Sequence, residues 1–212
     1  MTGSRIILAL DVPDRKRALE VASAVSPYIS YIKINWPLVL AAGTDIIRDL
    51  GEFRPVICDL KLADIPNTLK LIADEISKRS PFGVIAHAFV GSDCLKELVN
   101  HSPEMKVFAV VAMSHPGSRD VMDSQVDRLI DIARSSGVYG VVAPANKPDL
   151  LSRVRKMMPD TVIISPGSGA QGGDPVEGIR AGADFLIVGR SLYGAADPAK
   201  EAQRLMITTS SR

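Results

Sequence analysis

Short runs of β-branched and aliphatic residues alternate along the chain with longer stretches whose apolar positions recur every three or four residues. That is the pattern of buried parallel strands separated by surface helices. Strand-like runs occupy residues 5–11, 31–35, 55–61, 82–87, 106–113, 139–143, 161–165 and 184–188, each followed by a helix-like segment. The unit repeats at roughly 25 residues, the size of a compact βα unit. Within residues 44–50, Ile46, Ile47 and Leu50 form one apolar stripe, and Leu69, Ile72, Ala73 and Ile76 form another; both are expected to face the core. Pro13, Pro37 and Pro66 are expected just inside helix starts, where a missing N–H is harmless and a fixed φ helps.

This alternation predicts an α/β protein, a single (β/α)8 TIM barrel spanning residues 1–212, with a polar tail over 208–212 expected to fray. The chain is slightly short for that fold, which typically needs about 250 residues. An open doubly wound sheet also alternates strand and helix, but it usually carries a glycine-rich turn after its first strand. Here Leu10-Asp11-Val12-Pro13-Asp14 follows, without glycine. The barrel reading directs attention to the C-terminal ends of the strands, where active sites of this fold sit.

Composition narrows the partners. Lys and Arg number 25 against 24 Asp and Glu, a net charge of +1, which gives no electrostatic reason to expect nucleic acid or an anionic membrane surface. The apolar run near Met1 is too short for a signal peptide, and no run approaches the ~20 residues of a membrane helix. Cys58 and Cys94 fit neither a metal knuckle nor a disulfide framework, so a reducing, cytoplasmic setting is expected.

Five strand ends carry polar groups: Asp11, Lys33, Asp59 with Lys61, His87 and Ser114. Period-two alternation puts Asp59 and Lys61 on one side of the third strand and Leu60 on the other. Lys33, between Ile32 and Ile34, is hard to justify as a solvated residue. Buried lysines need carboxylates, and Asp11 and Asp59 are at hand. One such pair would read as a structural ion pair; four charges at successive strand ends point to binding or chemistry. Two later segments suggest a phosphate site: Ser165-Pro-Gly-Ser-Gly-Ala-Gln-Gly-Gly-Asp174 after the seventh strand and Val188-Gly-Arg-Ser191 after the eighth. In barrels, these loops commonly bind phosphate through backbone N–H groups, and Arg190 can add a bidentate contact.

The run Asp59-Leu-Lys61-Leu-Ala-Asp64-Ile-Pro-Asn-Thr68 resembles the Asp-x-Lys-x-x-Asp signature of the orotidine 5′-monophosphate decarboxylases. The resemblance extends in order through Leu8-Ala-Leu-Asp11, Ile32-Lys33-Ile34, Met113-Ser-His-Pro-Gly117, Ile164-Ser-Pro-Gly167, Gly169-Ala-Gln-Gly-Gly-Asp174 and Val188-Gly-Arg-Ser191. It implies decarboxylation of a pyrimidine nucleotide to UMP, the last step of pyrimidine nucleotide synthesis, without metal or organic cofactor. It also implies that Lys61 is the proton donor, that Asp59 lies beside the substrate carboxylate, and that Lys33 holds Asp59. Asp11 would bind the ribose, Ser114 the pyrimidine edge, and Gln171, Gly189 and Arg190 the phosphate, with Pro166 also lining the substrate. Asp64 and Thr68 would reach the site of a partner subunit in a homodimer.

Three positions depart from the pattern the resemblance implies: Asn35 and Val90 stand where glycine and proline are common, and Ala112 where a glutamate often precedes the Met-Ser-His-Pro-Gly run. His87 either touches the site or donates a hydrogen bond inside a structural network, His115 is read as part of a turn, His101 as a helix end, Cys58 as core, and Trp36 as an anchor for the second helix ahead of a dimer contact. The nearest rival is a Mg2+-dependent sugar-phosphate lyase of the same superfamily. It would place a carboxylate where Lys33 stands, and an ammonium there repels a cation. A barrel that merely binds a nucleotide phosphate would have no use for Asp59 and Lys61 together.

Overall fold

A computed structural model of the chain describes residues 3–168 and 172–210. Eight strands, β1 (Ile6–Leu10), β2 (Tyr31–Ile34), β3 (Val56–Leu62), β4 (Gly83–His87), β5 (Lys106–Val110), β6 (Gly140–Val142), β7 (Val162–Pro166) and β8 (Phe185–Val188), close into a barrel. Every neighbouring pair is parallel, with β8 returning to β1 through Ile6↔Leu186 to Leu8↔Val188. The order follows the chain, as right-handed βα units require.

Ten helices accompany them: α1 (Arg15–Val25), α2 (Trp36–Ala42), α3 (Ile46–Gly51), α4 (Pro66–Ser77), α5 (Ser92–His101), α6 (Val126–Ser135), α7 (Pro148–Met157), α8 (Pro175–Arg180), α9 (Arg190–Tyr193) and α10 (Pro198–Ser210) among the described residues. The repeat is therefore less uniform than its sequence pattern, because β2 and β8 are each followed by two helices and β5 by two 3-10 turns before α6. Of the predicted stripes, Ile46, Ile47 and Leu50 on α3 and Leu69, Ala73 and Ile76 on α4 are buried as expected, while Ile72 is only partly buried against the same core.

Two local expectations are corrected. Pro13 lies outside the first helix: Asp14 is the N-cap, its carboxylate accepting from the Arg17 N–H, so the helix starts only at Arg15. Residues 208–210 do not fray but complete α10, where the Thr208 and Thr209 hydroxyls donate to the Arg204 and Leu205 carbonyls.

Alternation sorts the strand residues into two cores. Ile7, Ala9, Ile57, Ile85, Phe108, Val110, Val142, Ile164 and Ile187 fill the barrel, while Leu8, Ile32, Ile34, Cys58, Leu60 and their like pack outward against the helices. Cys58 is thus core, as expected, and burial followed by the neighbouring Asp59 charge pushes its thiol pKa up to about 12. No helix among the described residues is long and apolar enough to cross a membrane.

Candidate active site

The C-terminal mouth of the barrel opens into a cavity of about 260 Å3. Its wall includes Asp11, Lys33, Asp59, Lys61, Ser114, Pro166, Gly189 and Arg190, residues from strand ends far apart in sequence. Eight of the expected site residues therefore converge. Asp64 and Thr68 do not: they stand on the segment entering α4, away from this wall, and Asp64 accepts from the Ile65 N–H at 2.8 Å. Gln171 lies outside the described residues.

Asp59 is the hub of the charges. Its Oδ2 is 3.1 Å from Lys33 Nζ, its Oδ1 2.5 Å from Lys61 Nζ, and Lys33 reaches on to Asp11 at 3.5 Å. Burial by itself would raise the Asp59 pKa, but the combined pull of Lys33 and Lys61 overcomes it and holds the carboxyl below its usual range. Exposure is graded across the four: the Lys33 and Asp59 side chains are 6% and 8% accessible, those of Lys61 and Asp11 34% and 38%. The inner pair is thus a fixed foundation, and the outer two present one cation and one anion to whatever occupies the cavity.

Strand β3 places Lys61 by an unusual local path. Its pairing with β4 shifts register between Cys58 and Leu62, and Lys61 takes a positive φ of 49°. A non-glycine residue held there costs on the order of 1–2 kcal/mol, and such strain concentrates at functional positions. Alternation in the sequence put Asp59 and Lys61 on one side correctly, but gave no sign of this bend.

The rest of the wall includes the apolar Ala9, Ile85, Val110, Val142 and Ile187, with Ala9 beside Lys33 in the strand register. Strand alternation could have singled these out, since they are the inward residues of β1, β4, β5, β6 and β8. At the phosphate-like end, Gly189 precedes the short α9, with its Cα facing Ala9 closely enough that a Cβ would stand 3.4 Å from the Ala9 Cβ and carbonyl oxygen. Arg190 is exposed, and among the described residues no carboxylate pairs with it. The base of the preceding loop is closed by Gly173 donating to the Gly167 carbonyl at 3.0 Å.

The profile of the orotidine 5′-phosphate decarboxylase / HUMPS family matches residues 4–205. The chain belongs to that family. Membership makes it an enzyme, a decarboxylase of the carbon–carbon lyase class. The orotidine 5′-phosphate decarboxylase of Thermoplasma acidophilum is 47% identical over 205 residues, 97% of this chain and 95% of that one. That of Thermococcus kodakarensis is 45% identical over 208 residues, 97% and 96% of the two chains. Among solved structures, orotidine 5′-monophosphate decarboxylase from Methanocaldococcus jannaschii, complexed with the inhibitor BMP, superposes with a TM-score of 0.93 at 34% identity, covering both chains completely. The Pyrococcus horikoshii enzyme gives 0.91 at 40% identity, covering 98% of this chain and all of that one.

Other sequence readings meet mixed outcomes within this family fold. Trp36 anchors α2 by donating from Nε1 to the Leu60 carbonyl at 3.0 Å. His101 closes α5 and contacts Asp74 at 2.7 Å, and His115 caps the 3-10 turn Pro116–Asp120. His87 follows neither expected role: it is not among the residues lining the cavity, its Nδ1 is buried without a hydrogen-bond partner, and its ring packs on Phe89, centroids 4.6 Å apart. Burial, then repulsion by Lys61, outweigh attraction by Asp59 and lower its pKa to about 4, so the ring is neutral at pH 7.

Proposed function

We propose that the enzyme decarboxylates orotidine 5′-monophosphate to UMP without metal or organic cofactor, as its relatives' names and the motif order suggest. The observation that carries the mechanism is the Asp59 hub, a buried carboxylate holding the half-exposed Lys61 ammonium at 2.5 Å on the cavity floor. When the bond from C6 to the carboxylate breaks, its electron pair stays on C6, which the ring cannot easily delocalise. Lys61 stabilises that charge, then its N–H bond breaks and the proton passes to C6; neutral Lys61 regains a proton from solvent. Lys33 keeps Asp59 ionised and in place. Asp59, beside the substrate carboxylate, disfavours the bound ground state relative to the departing CO2.

The remaining assignments follow the cavity wall. Asp11 takes the ribose, Ser114 the pyrimidine edge with Pro166 beside it, and Gly189, Arg190 and Gln171 the phosphate. Phosphate binding energy from this remote end is available for orientation of the reacting carbon. A Mg2+-dependent reading is disfavoured by charge: Lys33 and Lys61 already occupy both oxygens of Asp59 that a divalent ion would need.

The functional unit in this reading is a homodimer in which Asp64 and Thr68 complete the partner's site. Support comes from their position off their own cavity wall and from exposed apolar side chains on the neighbouring segments. Trp36, Leu40, Ile65, Leu71 and Phe89, on the segments following β2, β3 and β4, are all large, apolar and exposed, and a concentration of such groups on neighbouring segments favours an interaction site.

Two measurements test the reading. Purified enzyme in excess EDTA is expected to convert orotidine 5′-monophosphate to UMP; conversion only of a sugar phosphate after added Mg2+ would overturn it. Mixing inactive Lys61→Ala and Asp64→Ala chains is expected to restore about a quarter of wild-type activity, because about half the dimers are mixed and each then holds one intact site of two. No recovery despite demonstrated subunit exchange would exclude a shared site.

A further inference from the structure

The end of β5 is tied to β6 as far as Val142, whose carbonyl accepts from Val111 at 3.3 Å and Ala112 at 3.4 Å. Beyond that point the chain leaves the ladder, and Ser114, on the cavity wall, comes two residues later. The β6 side is better held: past the strand, Ala145 still donates to the Pro166 carbonyl at 2.8 Å, so the segment before α7 is fixed against β7. From there Asn146 reaches back, its Nδ2 donating to the Ser114 carbonyl at 3.1 Å across 32 residues of chain. An asparagine just ahead of a helix ordinarily bonds within its own turn or caps the helix, and Asn146 does neither. The Ser114 carbonyl can only accept, so it fixes which end of the carboxamide faces it. The other end, Oδ1, is buried without a donor against Gly167, where a Cβ would stand 2.9 Å from Oδ1 and 3.1 Å from Cγ. An unmet buried acceptor costs about 1–3 kcal/mol, which offsets what the Nδ2 bond contributes to stability. What the carboxamide secures is position.

We propose that Asn146 is a positioning residue for recognition of the base: by holding the Ser114 carbonyl against the β6–β7 side of the mouth, it sets the direction in which Ser114 meets the pyrimidine. The inference rests on the nucleotide reading above, which gives Ser114 the pyrimidine edge, and adds a residue which that reading does not use. Asn146 is not on the cavity wall, so it touches no substrate and acts through Ser114. Among the described residues no other side chain bonds the Ser114 main chain. The outer part of the same loop has a separate anchor, since Lys147 Nζ donates to Ser118 Oγ at 2.5 Å and to Asp123 at 2.6 Å. Loss of the Asn146 bond therefore frees Ser114 while the rest of the loop stays pinned. Hydrogen bonds weaken steeply with misalignment, and a wall group displaced by even 1 Å can cost far more in rate than its bond is worth in stability.

The test is a double-mutant cycle in kcat/KM for orotidine 5′-monophosphate, with wild type, Asn146→Ala, Ser114→Ala and the pair, each corrected for the folded fraction measured by circular dichroism under assay conditions. Asn146→Ala is expected to lose about 10-fold. In the Ser114→Ala background the same change is expected to cost no more than about twofold, because the group it positions is already gone. Asn146→Asp keeps the shape against Gly167 but turns a carboxylate oxygen toward the Ser114 carbonyl, so it should lose at least as much as Asn146→Ala. Losses that multiply in the double variant would show that Asn146 does not act through Ser114 and overturn the proposal, as would full activity in either Asn146 variant. Wild-type enzyme inert on orotidine 5′-monophosphate would overturn the decarboxylase reading itself, and this assignment with it.

Discussion

The two ends of the barrel are built from the same strands and treat polar groups in opposite ways. At the N-terminal end, Tyr31, Phe82, Phe108, Tyr139 and Phe185 pack as a plug of tilted and edge-on rings, with centroids 4.8 Å apart for Tyr31 and Phe82 and 5.4 Å for Phe108 and Tyr139. Phe108 fits because its neighbouring strands carry glycines: a Cβ on Gly140 would stand 2.6 Å from the Phe108 ring, and one on Gly83 3.1 Å. Just outside, Arg155 donates to the Gly182 carbonyl, to Met158, Pro159 and Thr161, and to Asp184 at 2.5 Å, so every nitrogen of its guanidinium has an acceptor. At the C-terminal end, Lys61 sits at positive φ, and Asn35 Oδ1 and His87 Nδ1 are buried without partners. One end is closed on itself. The other keeps charge, strain and unmet hydrogen-bonding capacity around an open cavity.

The comparison implies that substitutions at the two ends separate turnover from stability. Lys61→Ala is the largest expected effect. It should reduce kcat by at least about 10³-fold, the combined loss of a proton donor and of the charge beside C6. The fold should survive, since Asp59 keeps Lys33 at 3.1 Å. Retention of most turnover, or a collapse in Tm comparable to the loss of a core residue, would break the separation.

Arg155→Leu probes the opposite end. It strands the half-buried Asp184 carboxylate, whose remaining donor is the Ile163 N–H at 2.7 Å, and several strand-end carbonyls besides. The expected cost is about 3 kcal/mol in denaturant unfolding, with kcat unchanged. A variant that lost turnover in proportion to its folded fraction would agree; one that lost kcat while fully folded would show that the ends are coupled.

The sequence made the closed end harder to read than the open one, for a physical reason. Charged residues inside short apolar runs are costly enough to be conspicuous, so Asp11, Lys33, Asp59 and Lys61 stood out. The plug is made of ordinary apolar residues and two glycines, whose meaning depends on which strands become neighbours. Arg155, one basic residue on a surface helix, carried no signal, because its acceptors lie on two loops, residues 158–161 and 182–184. At the mouth, what escaped was geometry: the bend at Lys61 and the direction of the Asn35 amide both depend on how β3 and α2 meet their neighbours. Asn35 was visible as a departure from a family pattern, and alternation with Lys33 was the cue to its side.

His87 offers the finest test, because it brings a stability effect to the functional end. Its pKa is lowered from 6.5 to about 4, so in the intervening range the unfolded chain binds a proton that the folded chain refuses. The sign follows from that: stability is full above about pH 6.5, falls as pH drops toward 4, and stops falling on this account once the native ring also protonates. His87→Gln, neutral throughout, should remove that slope, on the order of 1–2 kcal/mol between pH 7 and 4.5. The acid loss that the lowered Asp59 carboxyl adds as pH falls toward its ordinary value is common to wild type and variant, so it cancels in their difference. Denaturant midpoints of wild type and variant at the two pH values decide it. Equal acid slopes would mean that the imidazole finds a partner at the mouth, and the contrast between the ends would then rest on Lys61 and Asn35 alone.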